Sequence, residues 1–100
     1  MFSFDMKKNG TDVVVTLAGR LDGVVAPKLH EEMSTIYGEE ITSITFEAKD
    51  LEYISSAGLR VIVFVKQKLG DKVRLCLKDA SAEIRSVMEL TGFSNFVEMI

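Results

Sequence analysis

Along this chain the spacing of apolar residues switches repeatedly between twos and threes or fours. Val13, Val15 and Leu17 alternate with Val14, Thr16 and Ala18, a period-two run of β-branched residues that predicts a strand with both faces at least partly covered. Before it, Phe2-Ser3-Phe4 and Lys7-Lys8-Asn9-Gly10 predict a first strand and a hairpin turn, because Asn-Gly supplies the positive φ angles of tight hairpins. Gly19 to Gly23 is expected to form the next turn. From Ala26 through Leu29, Met33, Ile36 and Tyr37 the spacing is helical, with Pro27 in the first turn and Gly38 as the stop. Ile44 and Phe46 predict a strand ending near Ala48, and Gly58 to Leu69 a second helix. Val73, Leu75 and Leu77 alternate again, and Ile84, Val87, Met88 and Leu90 resume helical spacing up to Gly92. Phe93 to Ile100 fits either a short strand or a final helical turn.

Strands alternating with helices imply parallel crossovers, hence an α/β domain whose sheet carries helices on at least one face and the opening hairpin at an antiparallel edge. One hundred residues suit a single core, so the expectation is one domain over residues 1–100. Hydrophobic residues at 47% and charged residues at 27% exclude a disordered or fibrous chain.

Twelve Lys and Arg against 15 Asp and Glu give a net charge of -3, without the basic excess that phosphate-backbone binding demands, so nucleic acid is not an expected partner. Cys76 is the sole cysteine and His30 the sole histidine, too few for an internal disulfide or a metal cluster. No metal and no cofactor is expected. Charges interrupt the apolar residues of the N-terminal segment, and the longest uninterrupted aliphatic and aromatic run is Val61 to Val65, far short of the ~20 residues of a spanning helix. These features predict a cytoplasmic protein without membrane insertion.

The segment Lys49 to Val61 places two hydroxyls, Ser55 and Ser56, at a helix start. A serine there accepts a hydrogen bond from an unpaired backbone N–H, and the aligned peptide dipoles favour negative charge at the same place. Two readings follow: an N-cap in a tight loop of small residues, or a site that accommodates a phosphate. Local chemistry permits either serine in the second role.

Tyr53-Ile54-Ser55-Ser56-Ala57-Gly58-Leu59 followed by Val61-Ile62 resembles the signature of STAS domains, the bacterial anti-sigma factor antagonist family. Leu17-Ala18-Gly19-Arg20-Leu21-Asp22 looks like the family's Gly-x-Leu-Asp turn, and Leu90-Thr91-Gly92-Phe93 with Phe96 is similar to its closing segment. The resemblance covers essentially the whole chain. It implies a mixed sheet of four to five strands with helices mainly on one face, in a monomer or weak dimer. It also implies a non-enzymatic binding module that captures an anti-sigma factor with serine kinase activity, is released when phosphorylated, and is restored by a metal-dependent serine phosphatase. Motif position makes Ser56 the phosphoacceptor, with Ser55 second. Many phosphorylated members carry an aspartate where this chain has Ser55, and a second hydroxyl where it has Ala57. Without a switch, the same resemblance implies a constitutive interaction subunit of a lipid-transport or sensory complex.

The resemblance extends the candidate partner surface to Asp22, Ser55, Ser56, Ala57, Gly58 and Leu59. Asp22 has two readings, a cap for the first helix or a partner or kinase contact. Leu59, Ile62 and Leu69 line one face of the second helix, whereas Val61, Phe64 and Val65 load the opposite side. That helix is either buried on two sides, beneath the segment Phe93 to Ile100, or it shows an apolar patch beside the serines. His30 reads as a partly exposed residue and Cys76 as a small buried one on the sheet face opposite Leu75 and Leu77. Ser56-Ala57-Gly58 is half of a hydrolase nucleophile elbow, but Ile54 stands where the leading glycine belongs and no triad pattern accompanies it. Both glycine-rich nucleotide loops are absent from the sequence.

Overall fold

A computed structural model describes residues 2–100. The elements run β1 (Ser3–Asn9), β2 (Asp12–Leu21), α1 (Ala26–Ser34), β3 (Ser43–Ile54), α2 (Ser56–Leu69), β4 (Arg74–Lys78), α3 (Ala82–Leu90), a 3-10 turn (Phe93–Asn95) and β5 (Glu98–Met99). They form one five-stranded sheet in the order β1-β2-β3-β4-β5, with β1 antiparallel to β2 and every other pair parallel. The expected α/β architecture and the opening antiparallel edge are both present.

One sheet face carries the core. Val13, Val15 and Leu17 of β2, Ile44, Phe46 and Ala48 of β3, and Leu77 of β4 are completely buried and join Leu29 and Met33 of α1, Ile62 and Val65 of α2, and Ile84 and Met88 of α3 in one cluster. Among the described residues the opposite face is not covered by a helix: Thr16 donates to Glu47 (3.2 Å), Arg74 pairs with Glu98, and the Cys76 thiol donates to the same carboxylate at 3.5 Å. Cys76 is buried on that face all the same, and desolvation followed by its bond to Glu98 pushes the thiol up from its ordinary value. Arg74, chiefly through its hydrogen bond, holds the Glu98 carboxyl below the usual range.

Four boundaries differ from the expectation, and each has a local cause. β2 does not turn at Gly19 but runs to Leu21, and β3 does not stop at Ala48 but runs to Ile54. The two strands stay paired through register shifts at Thr16/Ala18 and Gly19/Arg20, where β3 carries extra residues as bulges. Bulges change the repeat, so beyond Ala48 the buried positions of β3 are Leu51 and Ile54, three apart, and simple alternation disappears from the sequence. Gly19 takes a φ of 87° within this irregular stretch, a conformation that favours glycine. α2 begins at Ser56, two residues earlier than the apolar spacing suggests, because its first turn is capped by a side chain. α1 ends at Ser34, and Ile36 and Tyr37 continue as turns that still face the core. The last segment forms both expected structures in succession, a 3-10 turn and a two-residue strand.

The start of α2 is pressed against the end of β2. A Cβ at Gly58 would lie 2.7 Å from Cγ of the buried Leu21 and 3.1 Å from Cγ1 of Ile54. Gly58→Ala should therefore lower stability by about 1–3 kcal/mol despite alanine's better helix propensity, because overpacking of this depth forces backbone or side-chain shifts. A fall in the urea midpoint with an unchanged slope is the expected reading; an unchanged midpoint would show that this packing is looser than described.

Candidate functional site

The site lies where β2 and β3 end side by side. Their parallel pairing persists to Leu21 opposite Ile54, and the Ser55 N–H donates to the Leu21 carbonyl at 2.8 Å. Both following loops therefore leave from one rim of the sheet, the C-terminal ends of adjacent parallel strands. At the first loop, Asp22 Oδ1 accepts from the N–H groups of Val24 (3.0 Å) and Val25 (3.2 Å), and its carbonyl accepts from Ala26 N–H at 3.0 Å. The carboxylate braces the loop ahead of α1 and does not cap the helix, whose N-cap is Val25 without a side-chain bond.

The two serines do different things. Ser55 is the N-cap of α2: its backbone is extended, its Oγ accepts from Gly58 N–H at 3.2 Å, and its carbonyl accepts from Leu59 N–H at 2.9 Å. Ser56 is the first helical residue and is exposed, and its Oγ makes no hydrogen bond among the described residues. The first turn of α2 holds no acidic side chain, and its last turn holds Lys66 and Lys68. The positive end of the helix dipole at Ser56 therefore has no counter-charge from its own helix.

Beside Ser56 a groove of about 330 Å³ runs between the two helices, with Gly23, Ala26, Pro27 and His30 on one side and Ala57, Arg60, Val61 and Phe64 on the other. His30 meets Phe64 edge to face, ring centroids 4.8 Å apart, and Lys68 Nζ lies over the same ring, 5.5 Å from its centroid. Val24, 79% exposed, stands on the adjoining loop. Arg20 stacks over Tyr53 at 4.3 Å from the ring centroid, just before the rim. A larger cleft of about 730 Å³ lies at the opposite end of the sheet, by Val73, Arg74 and Phe96; its Lys66 is bonded to the Val73 carbonyl and its Arg74 to Glu98.

This geometry corrects the expected apolar patch. Leu59 (2% exposed) and Val65 (0%) are in the core, and Gly58 is buried, so these three offer no surface to a partner. Val61 is nearly buried and reaches only the groove floor; Phe64, 37% exposed, and the half-buried Ala57 remain accessible. On its second apolar side α2 packs against α1. Arg60, Val24 and the His30–Phe64 contact stand outside the residues expected from sequence. Nothing in the local pattern announces a contact between residues on two helices, whereas the exposed Val24 beside a half-buried Val25 could have been read from the Asp22-Gly23 turn that precedes them.

The STAS domain family model matches residues 3–100. The chain belongs to the STAS domain family. It is 29% identical over 99 residues to the anti-sigma-B factor antagonist of Bacillus subtilis, covering 95% of this chain and 87% of that protein. It is 22% identical over 79 residues to the anti-sigma-F factor antagonist RsfB of Mycobacterium tuberculosis, covering 79% of this chain and 65% of that one. In structure it is similar to an anti-sigma factor antagonist from Mycobacterium paratuberculosis (TM-score 0.87, 19% identity, 99% of this chain and 85% of that). It is also similar to the phosphorylated form of the Bacillus cell fate determinant SpoIIAA (TM-score 0.76, 20% identity, 98% and 91%). At these identities the structural likeness is one of fold. Neither serine is paired with His30 among the described residues, and the His30 Nε2 is buried without a hydrogen-bond partner. No helix among the described residues is long and apolar enough to cross a membrane.

The division of labour between the serines is measurable in stability. Ser55→Ala removes a helix cap and should cost about 1 kcal/mol. Ser56→Ala, at an exposed first-turn position with no bond to lose, should stay within about 0.5 kcal/mol of the parent. Equal losses in chemical denaturation would contradict the assignment of Ser55 as the cap.

Proposed function

We propose that this STAS domain is an anti-sigma factor antagonist whose capture of an anti-sigma factor is switched off by phosphorylation of Ser56. The observation that carries the reading is the unequal use of the two serines: Ser55 Oγ is occupied as a cap, while Ser56 Oγ is exposed beside a groove. The names of the relatives supply the class of partner, an anti-sigma factor.

Unmodified, Ser56 itself carries no charge. Ser56, Ala57 and Val24 on the rim and Phe64 in the groove are uncharged and accessible, with Arg60 as the charged group of the same groove. In the modification step the anti-sigma factor acts as serine kinase. Ser56 Oγ bonds to the γ-phosphorus of ATP, the bond from that phosphorus to the β,γ-bridging oxygen breaks, ADP leaves with the electron pair, and the hydroxyl proton passes to a base of the kinase. The product carries about -1.5 to -2 charges at a docking surface. Burying such a charge without compensation costs several kcal/mol, and ~1.4 kcal/mol is already a tenfold loss of affinity. A serine phosphatase reverses the change by hydrolysis, returning the hydroxyl.

Ser56→Asp retaining full affinity would instead favour a constitutive interaction module in which Ser56 is only a contact.

The test is to isolate the native protein from cells under phosphatase inhibition and map its modification and its bound partner. The expected result is one phosphate, on Ser56, confined to the partner-free fraction. Ser56→Ala should abolish it and Ser55→Ala should keep it, and Ser56→Asp should weaken capture at least tenfold. A phosphate that persists in the Ser56→Ala protein would overturn the assignment.

A further inference from the structure

We infer that Arg60 is the intramolecular partner of the phosphate on Ser56, so that modification of the serine also redraws the wall of the groove between α1 and α2. The inference deepens the proposed function and rests on Ser56 being the modified residue. Ser56 and Arg60 are four apart on α2, so their side chains stand one above the other with Cβ atoms about 5–6 Å apart. An anion placed four residues before a cation is also the favourable order on a helix.

Arg60 is exposed, lines the groove, and has no ion pair among the described residues. α2 contains no Asp or Glu, so its own helix offers this guanidinium no other anion. Arg20, on the strand that leads to the rim, is already stacked on Tyr53. The acidic neighbour on the rim is Asp22, on a loop whose Gly23 would bring a Cβ within 4.0 Å of Ala57 Cβ. Its negative charge opposes a phosphate, and Arg60 is the residue placed to offset it. A guanidinium fork suits two phosphate oxygens, a geometry a hydroxyl does not offer. Before modification Arg60 is part of the groove wall with Val61 and Phe64. Drawn up to the start of the helix, it leaves that wall, so one phosphate alters both the rim and the groove.

The test uses the full chain with phosphoserine installed at position 56 by synthesis, without a kinase, and follows the second ionisation of the phosphate by phosphorus NMR. That ionisation lies near pH 6 for an unpaired phosphoserine. Pairing predicts a midpoint lower by about half a pH unit in the parent than in the Arg60→Gln protein, with the difference shrinking in 1 M salt. Arg20→Gln should leave the midpoint unchanged. Equal midpoints in the parent and the Arg60→Gln protein, or a midpoint moved by Arg20→Gln instead, would overturn the inference. If the phosphorylated chain does not fold, Ser56→Glu is combined with Arg60→Gln in a thermal double-mutant cycle. Non-additive Tm shifts are then expected, and additive ones overturn the inference. Because no kinase is involved, failure here leaves the proposed function standing, whereas absence of phosphate from Ser56 in cells defeats that function without altering the NMR result.

Discussion

The hydrogen bond from the Ser55 N–H to the Leu21 carbonyl closes the parallel ladder between β2 and β3, and the candidate site depends on where that ladder ends. Were β3 to stop at Ala48, the two serines would sit on a loop of several residues, free to wander. Because pairing continues to Leu21 and Ile54, the chain passes directly from strand to helix, and Ser55 and Ser56 are held by a rigid element on each side. The bulges make this possible: β3 carries the additional residues and still delivers Ile54 to the core. Gly58 then lets α2 approach Leu21 more closely than any side chain allows.

From that anchoring follows the chemical difference between two adjacent, identical side chains. The N-cap position turns one hydroxyl back toward the helix, where it accepts from Gly58, and the first helical position turns the next outward. An aspartate at the cap, frequent in phosphorylated members of the family, would perform the same capping while adding a negative charge. Ser55 caps without that charge, leaving the electropositive start of α2 without an anion of its own.

Much of this arrangement is legible in the sequence. The period-two run at Val13 to Leu17, the helical spacing from Ala26, and the alternation of element types fix an α/β domain, because a buried face leaves a periodic trace whatever the surroundings. The serines are legible as a helix start for the same local reason. What is not legible depends on contacts between distant segments. The bulged end of β3 erases its own periodicity, so Lys49 to Ile54 reads as loop. The apolar excess on α2 reads equally as patch or core, and only the packed tertiary structure shows that Leu59 and Val65 are interior. The contact of His30 with Phe64 has no sequence signature at all.

On the proposed function, energetics give the switch its direction. In the free chain a phosphate on Ser56 stands in water at the positive end of a helix, an interaction worth about 0.3–1 kcal/mol at an exposed site. At a docked apolar surface the same group would lose its hydration, at a cost of several kcal/mol unless the partner supplies a cation. The second quantity exceeds the first and acts only in the complex, so modification need not disturb the fold in order to release the partner. A five-stranded sheet with a fully packed core can therefore act as a fixed support while the change in affinity is confined to one side chain and the charges around it. On the same proposal the burden of specificity falls on exposed residues such as Val24 and Phe64, since the buried remainder of α2 is committed to the core.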